Sequence, residues 1–90
     1  MYEIKNYSFK KAEELGLQIR SSTRKGKKID VYKDDDYLFS IGSIKNFDYP
    51  TYVIEKGKAY AEERKRLYHL RHKKTSKKHF KSFVAMYILW

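Results

Sequence analysis

Leu17-Gln-Ile-Arg-Ser21, Ile29-Asp-Val-Tyr-Lys33 and Tyr37-Leu-Phe-Ser-Ile41 decide the fold. The first two alternate apolar and polar side chains, the period of a half-buried strand. The third is a mainly apolar run that Gly42 is expected to stop. Between them lie two short polar connections, Arg24-Lys-Gly-Lys-Lys28 and Asp34-Asp-Asp36. Connections this short join neighbouring strands head to tail, so the three stretches form an antiparallel meander. Alternation alone does not decide which strand face turns inward.

Upstream, residues 1–6 read as an extended edge segment. Ser8 then reads as the N-cap of a helix of about two turns, with Phe9, Ala12 and Leu15 on one face and Gly16 as terminator. Downstream, Asp48-Tyr-Pro-Thr51 starts the helical half, because Asp caps and Pro is tolerated in a first turn. Gly57 bends or interrupts that helix. From Lys58 the pattern strengthens, with Tyr60, Ala61, Arg64, Leu67, Tyr68 and Arg71 spaced for one side. Lys73-Lys-Thr-Ser76 reads as a polar break, with Ser76 capping a last helix. Phe80, Phe83, Val84, Tyr87 and Ile88 then fall at i, i+3, i+4, i+7 and i+8, an apolar stripe.

These elements predict one α+β domain spanning residues 1–90, with a helix and β-meander in 1–47 and a basic helical half in 48–90. A small three-stranded antiparallel sheet, a short N-terminal helix and two C-terminal helices covering the sheet make up the fold. The expected core is Leu15, Leu17, Ile19, Ile29, Val31, Leu38, Phe39, Ile41, Leu67, Phe80, Phe83, Val84 and Ile88. Ninety residues suffice for one small domain, which buries only ~60–65% of its unfolded surface. Aromatic residues make up 17% of the chain, with nine Tyr, too apolar a composition for a disordered chain. No run approaches the ~20 apolar residues of a membrane span, so no transmembrane segment is expected, and Met-Tyr-Glu-Ile-Lys5 lacks the apolar core of a signal peptide. The absence of Cys excludes disulfides and thiolate chemistry and suits a reducing compartment.

Charge is distributed unevenly. Residues 1–54 hold ten basic and eight acidic side chains, a net of +2, whereas residues 55–90 hold eleven basic and three acidic ones, a net of +8. A concentrated positive field attracts polyanions. Arg64, Lys65, Arg66, Arg71, His72, Lys73, Lys74, Lys77, Lys78 and Lys81 are the candidates for binding nucleic acid or acidic protein surfaces. Lys and Arg neutralise phosphates and release counterions, giving affinity without sequence preference. Tyr60, Tyr68 and Trp90 are candidate aromatic contacts or anchors, since rings can stack on unpaired bases. For Tyr60 and Tyr68 a place in the core is an equal alternative, and Phe80 is expected in the core.

Other chemistries find little footing. His69, His72 and His79 lack the Cys or carboxylate partners of a structural metal site. The three Asp at 34–36 lack the alternating ligands and terminal Glu of a calcium loop and read as a hairpin turn. No nucleophile elbow, phosphate-cradling glycine motif or metalloprotease motif occurs. The chain is therefore expected to be non-enzymatic and to need no cofactor and no metal.

One string extends beyond periodicity: Ile41-Gly-Ser43, Asp48-Tyr-Pro-Thr-Tyr52, Gly57, Tyr60-Ala-Glu-Glu-Arg64, Tyr68, Arg71-His72 and Ile88-Leu-Trp90. It resembles a group of small basic proteins encoded by large double-stranded DNA viruses of algae and protists. The resemblance covers roughly residues 37–90, implies a viral context and supplies no catalytic residues. The element order also resembles the double-stranded-RNA-binding fold, but the 24–28 loop lacks His and the helix start near Thr51 lacks a Lys cluster. The expectation is a non-enzymatic viral structural protein, a minor capsid or capsid-associated component bridging larger virion proteins. The alternative is a sequence-nonspecific nucleic-acid-binding protein packaged with the viral genome. Either places the protein in the virion, and in host cytoplasm or nucleus during assembly.

Overall fold

The computed structural model describes residues 2–78 and 80–90, with the backbone alone for 73–78. The chain divides into two compact units, Met1–Asn46 and Phe47–Trp90. The first holds α1 (Asn6–Glu14), β1 (Gln18–Ser21), β2 (Lys27–Lys33) and β3 (Asp36–Ser43). The second holds α2 (Tyr49–Lys56), α3 (Lys58–Lys78) and α4 (Phe80–Leu89). The architecture is α+β, with the expected three-stranded antiparallel sheet in the order β1-β2-β3.

α1 begins earlier than its sequence suggests. Lys5 is the N-cap, and its carbonyl accepts from the Ser8 and Phe9 amides, so Ser8 sits fully buried in the first turn and does not cap. The C-terminus follows the glycine signal closely. Gly16, at φ +71°, lets its own amide reach the Glu13 carbonyl and the Leu17 amide reach the Ala12 carbonyl. This 6→1, 5→2 pairing closes a Schellman motif and leads the chain directly into β1.

The two hairpins differ. Between β1 and β2 the amide of Ser22 bonds the Lys28 carbonyl and that of Lys27 the Arg24 carbonyl, so β2 starts at Lys27 rather than Ile29. Between β2 and β3 only Asp34 and Asp35 form the turn, at φ 51° and 68°, while Asp36 pairs with Lys33. Two consecutive left-handed residues are the signature of a type I′ turn, whose twist matches that of the strands. Lys27 pairs with Ser43, which carries β3 through Gly42 instead of stopping there. Val31 opposes Phe39 but Tyr32 opposes Tyr37, leaving Leu38 as the extra residue of a bulge. The slip takes Leu38 out of the core and exposes it.

Register separates the faces of the sheet. Ile19 opposes Val31 and Ile29 opposes Ile41, and all four are buried with Leu17 and Ala12. On the opposite face Arg20, Asp30 and Ser40 stand in line across the three strands.

In the second unit Asp48 caps α2, its Oδ1 accepting from the Thr51 amide at 2.9 Å, with Pro50 in the first turn. Gly57, at φ +93°, separates α2 from α3: its amide bonds Val53 and its carbonyl receives the Ala61 amide. That division makes four helices among the described residues. The backbone of α3 then runs through 73–76 without the expected break, which places Ser76 inside the helix rather than ahead of the next one. α3 packs against both α2 and α4. Tyr49, Ala61, Val84, Ile88 and Leu89 are buried, while Leu67, Phe83 and Tyr87 are half-buried. Phe80 stands 57% exposed at the first position of α4, a correction to its expected place in the core. Leu15 and Phe39 are also only half-buried.

Candidate nucleic-acid interface

α3 carries nine Lys and Arg against two Glu, a net of +7, and no acidic residue follows Glu63 anywhere in the chain. Its 21 residues rise about 30 Å. Arg64, Lys65 and Arg66 open the basic run and are all engaged within the unit. The Arg64 guanidinium stands 5.7 Å from the Tyr52 ring centre, and the Lys65 ammonium 4.8 Å from that of Tyr49. Tyr49 in turn donates its hydroxyl to Glu62 at 2.7 Å. Arg66 grips Glu63 through two bonds, 2.6 and 3.2 Å long. The hydrogen bonds, and then the opposite charge, hold the Glu63 carboxyl below its ordinary range and push the Arg66 guanidinium up. Because both groups face water, this pair adds little to stability.

Arg71 and Lys81 are exposed. The side chains of Lys73, Lys74, Lys77 and Lys78 lie outside the described residues, as does His79, although the backbone of 73–78 is helical.

The aromatic residues form a ladder within the second unit. Phe47 meets Tyr52 edge-on at 5.2 Å, and Tyr52 lies 6.0 Å from Trp90. Trp90 stacks on Tyr68 at 4.4 Å with planes only 8° apart, and Tyr68 stacks on His72 at 4.2 Å. His69 Nε2 lies 3.3 Å from the Trp90 carbonyl oxygen. The Tyr68 stack and the His69 contact pack Trp90 against α3. Burial raises the Tyr68 hydroxyl above its ordinary value, with Arg71 pulling the other way. Tyr60 tilts against Tyr52 at 5.5 Å and stays exposed.

A second cluster, in the first unit, escaped the sequence reading. Asp30 Oδ1 accepts from Ser22 Oγ at 2.7 Å and from Ser40 Oγ at 2.6 Å. The Arg24 amide bonds Ser22 Oγ at 3.0 Å, and Tyr37 OH lies 2.8 Å from Ser40 Oγ. Ser40 has one hydroxyl proton and gives it to Asp30, so Tyr37 is the donor in that last bond. Burial alone would raise the Asp30 carboxyl. Bonds from Ser40 and Ser22, the Arg24 charge and the Thr23 amide together hold it below the ordinary value instead. Around this centre Arg20 lies over the Tyr32 ring at 4.6 Å and Arg24 over Tyr37 at 4.9 Å. The signal lay in the register: strand pairing aligns Arg20, Asp30 and Ser40, and no linear motif records it.

Among the described residues no three His, Cys, Asp or Glu side chains group to hold a metal ion, and no helix is long and apolar enough to cross a membrane. Comparison with family models, curated proteins and solved structures yields no match to this chain.

Proposed function

We propose that this chain is a non-enzymatic, sequence-nonspecific nucleic-acid-binding protein, packaged with the genome of a large double-stranded DNA virus. The observation that carries the reading is the unbroken course of α3 through 73–78. A helix of this length keeps the cations of 64–78 on one rod, where they follow a phosphate backbone without reading bases. Arg64, Lys65 and Arg66 contribute chiefly through their field, since neighbouring rings and Glu63 hold them. Arg71 and the lysines beyond it supply direct phosphate contacts. The test is a triple variant, Arg71→Glu, Lys74→Glu and Lys78→Glu, titrated against labelled duplex DNA. Lost affinity with unchanged helical circular dichroism supports the reading, and unchanged affinity removes α3 from the interface.

A specific feature also favours a capsid-associated role bridging larger virion proteins. Ile54, Leu70 and Phe80 are 65%, 63% and 57% exposed, apolar groups that a protein neighbour would cover. On that reading Leu70→Asp with Phe80→Asp abolishes incorporation into particles and spares DNA affinity.

A further inference from the structure

We infer that the polar face of the β-sheet is a second contact surface, shaped for single-stranded nucleic acid, with Arg24 and Tyr37 at its centre. The inference deepens the nucleic-acid reading and rests on it, but it uses different residues in a different unit.

Three features of the face converge. The first is a pair of cation-capped rings. Arg20 covers Tyr32, Arg24 covers Tyr37, and the two rings meet edge-on at 5.7 Å. Tyr37 is 41% exposed, and both arginines are exposed. Guanidinium planes and tyrosine rings both accept an unpaired base as the next layer of a stack. The second feature is rigidity. Asp30, buried beneath them, reaches the Arg24 backbone amide through Ser22 and the Tyr37 hydroxyl through Ser40, so one carboxylate ties the loop that carries Arg24 and the ring of Tyr37 to the sheet. A platform held in place before binding loses less freedom when it binds. The third is charge. Lys25 follows Arg24 in the same hairpin, and the Ile44 amide bonds the Gly26 carbonyl, bringing the loop that carries Lys45 to the same end. Asp30 is the acid within this face, and its charge is occupied by two serine hydroxyls. The turn acids Asp34 and Asp35 close the opposite end of β2.

This combination selects the strandedness of the ligand. In a duplex the base faces are already stacked on one another, and rings on a sheet cannot join them. In a single strand the bases are free to stack while phosphates meet Arg20, Arg24 and Lys25. An acidic polypeptide would engage the charges and leave the rings unused.

The test compares labelled oligothymidylate, labelled duplex DNA and polyglutamate on the intact chain. Tyr37→Ala removes the ring, and Arg24→Gln removes the charge from an exposed loop position without disturbing its amide bond. Thermal melts establish that each variant is folded. Both variants are expected to bind oligothymidylate roughly fivefold to a hundredfold more weakly and duplex as the parent does. Parental affinity for oligothymidylate in both folded variants overturns the inference and leaves the α3 reading intact. Failure of the parent to bind oligothymidylate also overturns it, as does a Tyr37→Ala loss equal for polyglutamate and oligothymidylate, which makes the face a general site for acidic partners. If the α3 triple variant binds duplex normally while Tyr37→Ala still weakens oligothymidylate binding, the α3 reading falls and this one stands.

Discussion

Replacing Asp30 by Ala strips the acceptor from two buried serine hydroxyls at once. Each is a short bond to a charged oxygen, 2.6 Å from Ser40 and 2.7 Å from Ser22. Bonds to a charged group contribute about 1.5–3 kcal/mol apiece, and an orphaned buried hydroxyl adds a cost of its own. Against this, the variant no longer desolvates a carboxylate. Because the two bonds share one oxygen they are not additive, and the net loss is about 2–3 kcal/mol. For a chain of this size that lowers Tm by roughly 10–20 °C, read by circular dichroism. Asp30→Asn keeps Oδ1 as an acceptor without the charge, and its loss is nearer about 1 kcal/mol. The pH dependence has a definite sign. The folded carboxyl lies below its ordinary value of 3.8, so its stabilisation is complete above that range and vanishes as pH falls through the folded value. Asp30→Asn has nothing to protonate there. The wild type therefore converges on the Asn variant in acid. If the two lose stability in parallel through that window, or if Asp30→Ala melts within a degree or two of the parent, the network does not hold the sheet as described.

Three further outcomes follow from local geometry. Asp48→Ala removes the N-cap bond to Thr51 and costs about 1 kcal/mol, measured by urea denaturation. Asp34→Asn with Asp35→Gly suits the two left-handed positions better than two aspartates, and raises stability by roughly 0.5–1 kcal/mol; a decrease would argue against the type I′ turn. Tyr68→Ala uncovers one face of Trp90, the chain's one tryptophan, so its fluorescence should shift to the red and Tm should fall. Unchanged emission would mean that the stack does not form in solution.

The legible part of the fold is the part governed by short-range rules. Gly16, Gly57, Asp48 and the alternation of Ile19, Ile29 and Val31 each dictate a local conformation, and each lies where its chemistry requires. The failures involve choices that only tertiary structure makes. Lys73-Lys-Thr-Ser76 looks like a break because it is polar, yet polar residues other than Gly and Pro cost a helix little. Leu38 looks like core until the bulge rotates it outward. Phe80 fits the apolar period of α4 but precedes its first buried turn. The basic run from Arg64 could be read from composition, whereas the capture of Arg66 by Glu63 needed three-residue helical spacing. The Arg24–Tyr37 pair lies thirteen residues apart in sequence and becomes a pair only through strand register and the network at Asp30.

The central claim, that the basic second unit binds nucleic acid through its phosphates, is tested most directly by titrating intact protein into labelled duplex DNA at several salt concentrations. If Arg71, Lys73, Lys74, Lys77, Lys78 and Lys81 all neutralise phosphates, log K against log salt falls with a slope approaching about −5. A slope of several units, with binding that persists near physiological salt, is the predicted result. Affinity that is absent at low salt, or that does not change with salt, contradicts the account.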